Sequence, residues 1–156
     1  MSNFLCDASF YAVTNRCVEA PFVRRIASER REKGPYWDHS EYKELREPLM
    51  ELEGHQTTTQ STIRPRGTLD GDGVVFFAYD GTIQPGGLLP LELGIIKNGD
   101  LAEIYRDSVL PKRIRQRDFK GYCGACEFKE MCGGSRARAF SYGYAPLSSD
   151  PACLRA

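Results

Sequence analysis

Apolar positions recur at helical spacing in the first third of the chain, gather into extended runs near its middle, and crowd around cysteines at its end. The run "FYAVT", Phe10 to Thr14, is short and partly β-branched and predicts a strand. In "CVEAPFVRRIASERREKG", Val23, Ile26 and Ala27 return at helical spacing, with Pro21 tolerated in the first turn and Gly34 as the stop. A second helix is predicted in "SEYKELREPLMELEG", where Ser40 can cap and Tyr42, Leu45, Leu49 and Leu52 form the apolar stripe. Pro48 should kink or split it. After a polar, glycine-rich stretch from His55 to Gly73, order returns at "VVFFAYDGTIQP". Val74 to Ala78 and Thr82 to Gln84 are strand-like, and Asp80-Gly81 between them is a hairpin signal because glycine accepts the positive φ of the turn. "PGGLLPLELGII" continues as an extended apolar segment. The last predicted helix is capped near Asp100, turns Leu101, Ile104 and Tyr105 inward, and is followed by a shorter helical turn starting at Pro111.

These patterns divide the chain into a helical N-terminal segment, residues 1–54, a flexible loop, residues 55–73, and a C-terminal domain, residues 74–156. The expected fold class is α+β: a small β-hairpin-based sheet with flanking helices and a cysteine-rich C-terminal loop and helix around one metal centre. The length of 156 residues and 41% hydrophobic content are compatible with a real core.

Charge changes the picture only by exclusion. Twenty-one basic residues balance twenty-one acidic ones, so nothing points to nucleic acid, a polybasic membrane anchor or an acidic partner. The N-terminus lacks a basic segment followed by a long apolar run, and no stretch approaches the roughly 20 apolar residues of a membrane helix. A cytoplasmic location is expected.

The six cysteines are unevenly spread: Cys6 and Cys17 near the start, then Cys123, Cys126, Cys132 and Cys153 at the end. Without a secretion signal such cysteines serve metal or redox roles more often than disulfides. A two-residue gap between Cys123 and Cys126 lets both thiolates converge on one centre, with Gly124 keeping the turn permissive. Cys132 follows from the same loop, and the turn at Pro151 delivers Cys153 from elsewhere in the chain. Four thiolates suit either tetrahedral zinc or an iron-sulfur cluster. A zinc ribbon more usually has two CxxC pairs, and the single pair here favours the cluster.

The run "CGACEFKEMCGGSRARAFSYGYAPLSSDPAC" resembles the C-terminal auxiliary-cluster region, the SPASM or twitch domain, of radical S-adenosylmethionine enzymes, in the branch with haem-biosynthesis and peptide-modifying members. "VVFFAYDGTIQPGGLLPLELGIIKNGDLAEIYRDS" is similar to the hairpin and helix before those cysteines, and "CVEAPFVRRIASERR" to the end of the radical core. The resemblance implies that Cys123, Cys126, Cys132 and Cys153 ligate one auxiliary [4Fe-4S] cluster, with zinc as the alternative cofactor. Ligands for a second cluster are missing: Arg136 stands where a full domain has another cysteine, and "IQPGGLLPLELG" has none. The CxxxCxxC motif of the catalytic cluster is absent, and 156 residues leave no room for the barrel that holds the cofactor. The expectation is therefore a truncated, split or stand-alone cluster domain without catalytic residues of its own. It would relay electrons or position substrate for a radical core protein, with a peptide or tetrapyrrole as the substrate class. A structural zinc module for protein interaction is the alternative.

The remaining candidates each have a plainer reading. Arg136 and Arg138 would offset the negative charge of a thiolate-bound cluster, or else line a solvated helix. Gly133 and Gly134 are expected to allow close backbone packing at the cluster rather than to bind phosphate. His39 and His55 read as surface residues, and Cys6 and Cys17 as packed thiols. Glu19, Arg24 and Arg25 would contact a ligand or partner, or form one solvated helix face. Tyr36, Trp37 and Tyr42 would serve a partner patch or, more simply, the core.

Overall fold

The computed structural model describes Leu5, Cys6, Ser9, residues 21–30 and residues 69–155. The chain divides into two compact units, Met1–Arg66 and Gly67–Ala156. The strand expected at Phe10–Thr14, the helix expected from Ser40 to Gly54, and Cys17, Glu19, Tyr36, Trp37, His39, Tyr42 and His55 lie outside the described residues.

In the first unit, helix α1 (Phe22–Glu29) starts directly after Pro21, as a residue with a fixed φ and no N–H allows. Its buried residues are Val23 and Arg24, so Arg24 does not belong to a solvated face; Ile26 and Ala27 are only half-buried. The helix closes at Arg30, whose N–H donates to the Ile26 carbonyl at 3.0 Å. Cys6 is buried, and the Ser9 hydroxyl donates to its carbonyl at 2.6 Å.

The second unit carries a three-stranded antiparallel sheet in the order β1 (Phe76–Phe77), β2 (Thr82–Gln84), β3 (Gly94–Ile95). Phe76 faces Gln84 and Phe77 faces Ile83, while Thr82 and Ile83 of β2 pair with Ile95 and Gly94 of β3. The hairpin turns at Gly81, whose φ of +89° is the left-handed value the Asp80-Gly81 pair calls for. The Asp80 carboxylate accepts the Thr82 N–H at 2.9 Å and fixes the turn from the side-chain end. Only the central strand reaches the interior: Ile83 is fully buried, whereas both phenylalanines of β1 are exposed.

After β3 and a short 3-10 turn (Ile96–Asn98), α2 (Leu101–Asp107) is capped by Asp100, whose carboxylate accepts the N–H groups of Ala102 and Glu103. Leu101 does not turn inward as its spacing suggests; it is exposed at the first helical position, and Ile104 and Tyr105 are half-buried. Helix α3 (Val109–Arg115) begins two residues before Pro111, which sits buried in its first turn where its missing N–H costs no hydrogen bond. Ile114 on α3 then joins Phe119, Cys123 and Leu147 in a buried apolar cluster, with Leu110 packed against it. This core is the floor on which the cysteine-rich segment rests.

A local bridge and an ion pair order the chain before the sheet. Leu69 and Asp72, in the stretch expected to be loop, form an antiparallel bridge, and Leu69 is buried. The Asp72 carboxylate meets Arg117 at 2.8 Å. Arg117 holds a φ of +55°, unusual for a residue with a Cβ, and its guanidinium also donates to the Ile114 carbonyl at 3.1 Å.

Candidate metal centre

Cys123 sits on α4 (Gly121–Ala125), a helix of little more than one turn that ends at Cys126. At Gly124, inside it, a Cβ would overlap the Phe119 carbonyl. Glycine here serves close backbone approach, so the expected permissive turn has a steric reason. Cys132 comes from the loop after α4, where its N–H donates to the Phe128 carbonyl at 2.9 Å. Gly133 and Gly134, with φ of +66° and +69°, then reverse the chain into α5 (Arg136–Ser141), capped by the Ser135 hydroxyl on the Arg138 N–H. Cys153 arrives on the C-terminal turn, its N–H bonded to the Asp150 carbonyl at 3.1 Å.

The Cys123 thiol is buried and has a defined set of neighbours. The Asp150 N–H donates to its Sγ at 3.4 Å, and Nη2 of Arg136 lies 3.7 Å from the same sulfur. A Cβ on Gly134 would come within 3.1 Å of that Sγ and 2.8 Å of the Asp150 Cβ, so only glycine lets the backbone pass this close. These are the surroundings that a thiolate ligand needs: N–H donors, a nearby cation, and backbone close enough to exclude water.

Asp150 organises the site and was not singled out by the sequence. It is fully buried. Its carboxylate accepts the Ser135 N–H at 2.6 Å, Arg138 Nε at 2.8 Å and Nη2 at 3.0 Å, and the Ala152 N–H at 3.0 Å. Burial pushes its carboxyl up, but the bonds from Arg138, Ser135 and Ala152 outweigh this and hold it below the ordinary carboxylate value. The delivery of Cys153, expected from the turn at Pro151, therefore depends on the residue before the proline, which ties that turn to α5 and to Cys123.

Arg136 and Arg138 do not line a solvated helix. Arg136 is 1% exposed and donates through Nη1 to the carbonyls of Pro146 at 3.0 Å and Ser148 at 2.7 Å. Its guanidinium lies over the Phe119 ring at 4.6 Å. Burial lowers its proton affinity, while the charges of Cys123, Asp150 and Cys132 act to raise it. Arg138 is half-buried and paired with Asp150. Further out, Arg155 pairs with Glu127 at 2.9 Å and lies over the Phe128 ring, so the tail beyond Cys153 is fastened to the loop between Cys126 and Cys132.

Cys6, Cys123, Cys126, Cys132 and Cys153 are thiols rather than disulfides. Among the described residues no group of three or more His, Cys, Asp or Glu side chains is gathered so as to hold a metal ion. Cys123 and Cys132 share the field of Arg136, and Cys126 and Cys153 occupy the two segments that Arg155 and Asp150 fasten. Four thiols are the donor type that a thiolate-bound cluster takes, and the first of them has an N–H and a guanidinium beside its sulfur.

No family model matches the chain, and no solved structure matches it. Among the described residues no helix is long and apolar enough to cross a membrane. The chain is 38% identical over 89 residues to an AdoMet-dependent heme synthase of Nitratidesulfovibrio vulgaris, a match covering 56% of this chain and 24% of that protein. It is 34% identical over 90 residues to an AdoMet-dependent heme synthase of Methanosarcina barkeri, covering 57% of this chain and 26% of the relative. A pre-heme d1 synthase of Dinoroseobacter shibae is 34% identical over 92 residues, 56% of this chain and 23% of the relative. The chain thus spans about a quarter of the length of these curated relatives. The match lies in the C-terminal part of the chain and is consistent with a domain related to radical S-adenosylmethionine enzymes.

Proposed function

We propose that the C-terminal unit is a SPASM-like auxiliary iron-sulfur domain in which Cys123, Cys126, Cys132 and Cys153 hold one [4Fe-4S] cluster. The observation that carries this reading is the Cys123 sulfur, a buried thiol met by the Asp150 N–H and the Arg136 guanidinium. The relation to AdoMet-dependent heme synthases over the C-terminal part supports it independently. A bound cluster would supply one-electron transfer. The protein's own contribution is to fix the ligands. Asp150 joins the Cys153 turn to α5, Phe119 and Leu147 wall the Cys123 thiol from solvent, and Gly133 and Gly134 allow the chain to close round it.

In this role the domain relays electrons, or positions a peptide or tetrapyrrole substrate, for a radical S-adenosylmethionine core, and no residue among the four cysteines is catalytic. Purification and reconstitution without oxygen, followed by iron, zinc and acid-labile sulfide analysis, tests it. About four irons and four sulfides per chain are expected, falling sharply in Cys126→Ala and Cys153→Ala. One zinc and no sulfide would contradict the redox reading and leave a closed structural site.

A further inference from the structure

A guanidinium that is 1% exposed has lost almost all its hydration and must be repaid by local groups. Arg136 has two carbonyls on Nη1 and the π-face of Phe119, but its buried Nε–H has no acceptor among the described residues. Its Nη2 points to a sulfur rather than a carboxylate oxygen. The buried carboxylate nearby, Asp150, already accepts from Arg138, Ser135 and Ala152. Arg136 therefore stands beside Cys123 as a buried cation whose Nη2 has the sulfur as its partner. A buried, under-satisfied cation is costly unless an anion shares its cavity. Beside Asp150, whose charge also acts on Arg136, the group in direct contact that can supply negative charge is the Cys123 sulfur.

We infer that Arg136 is a positioning residue of the centre: it donates to the Cys123 thiolate and, as a fixed buried cation, raises the reduction potential of the cluster that thiolate helps to hold. The inference rests on the cluster reading above. Reduction adds one negative charge to the centre, and a cation held at the ligand sulfur favours the more negative state. Arg138 has a different task, since its guanidinium is engaged by Asp150 and holds the turn that carries Cys153.

The test compares wild type, Arg136→Lys, Arg136→Met and, as a surface control that also removes one positive charge, Arg106→Gln. Each is reconstituted without oxygen, assayed for iron and sulfide, and titrated with redox mediators. The expected midpoints are most negative for Arg136→Met, intermediate for Arg136→Lys, and unchanged for Arg106→Gln. Failure of the wild type to bind iron would refute the cluster reading itself. Full iron content in the Arg136 variants with wild-type midpoints would overturn the inference alone. Because Arg136→Met can lose the cluster by failing to fold, Arg136→Lys is then decisive: a negative shift supports the role and an unmoved midpoint overturns it. If neither variant loads, reduced wild type carrying 15N-labelled arginine settles the point by pulsed paramagnetic resonance. Coupling of an arginine nitrogen to the cluster spin is expected, and its absence overturns the inference.

Discussion

The hairpin sheet and the cysteine-rich segment of the same unit use opposite materials. In the sheet the backbone does most of the joining, and apolar side chains are left outside: Phe76 and Phe77 are exposed and Tyr79 is fully so, while Ile83 alone of the paired strands is fully buried. Around the cysteines the interior contains charges. Arg136 is 1% exposed and Asp150 0%, and each is held by several specific partners. A sheet joined mainly through its backbone tolerates change at its exposed side chains, because those pairings do not depend on which side chain is present. A region built on buried charge has fixed geometry and loses much when any one partner is removed. That rigidity suits a site that must hold ligands at set positions.

The contrast is broken most severely by Asp150→Ala, which removes the buried acceptor shared by Arg138, the Ser135 N–H and the Ala152 N–H. A loss of roughly 4 kcal/mol in denaturant unfolding is expected, in the range for removing one partner of a buried charged pair, together with loss of bound iron. Ile83→Ala should cost about 3 kcal/mol through the cavity it leaves in the sheet, yet molecules that remain folded should keep wild-type iron content and visible spectrum. Iron loss there beyond the unfolded fraction would erase the distinction between the two regions. Gly134→Ala should cost about 2 kcal/mol, from the left-handed φ and the crowding against Cys123 and Asp150, and should lower iron affinity more than its stability effect accounts for.

The smallest expected effect is on pH dependence. Hydrogen bonds from Lys120 and then Arg113 hold the exposed Asp118 carboxyl below its ordinary value. A carboxyl depressed in the folded state contributes stability that is fully present above its unfolded value, about 3.9, and is lost as pH falls through the lower folded value. Thermal melts of Asp118→Asn between neutral pH and strong acid should therefore show a slightly shallower acid slope than wild type. An identical slope would show that this carboxylate adds nothing.

The sequence was informative where local chemistry decides structure. Asp80-Gly81 located the hairpin, and β2 occupies Thr82–Gln84, the residues the pattern assigns. Asp100 was recognisable as a cap because it precedes an apolar-periodic run, and its carboxylate does bond the first helical N–H groups. Where partners far along the chain decide, the pattern misled. "VVFFA" reads as a five-residue strand, but its partner β2 has three residues, and only Phe76 and Phe77 form β1. Leu101 shares a face with Ile104 and Tyr105, yet periodicity does not say how much of that face a neighbouring element covers.

The cysteine spacing drew attention to the segment that carries Cys123, but not to what surrounds its thiol. Arginine and aspartate in one sequence read as surface residues, since burial of a charge depends on partners that composition does not reveal. One signal was present. Arg136 is the first residue of α5, where a cation opposes the helix dipole, so a compensating reason for it was to be sought. Asp150 carried a weaker one, as a turn-forming aspartate directly before Pro151 and three residues before a candidate ligand.

The most direct test of a thiolate-held redox centre is low-temperature paramagnetic resonance of the anaerobically reconstituted chain before and after reduction, quantified per molecule. The expected result is one reducible iron-sulfur signal per chain, abolished in Cys123→Ala. A chain that folds fully but yields no such signal, and binds one zinc through the same cysteines, would contradict it.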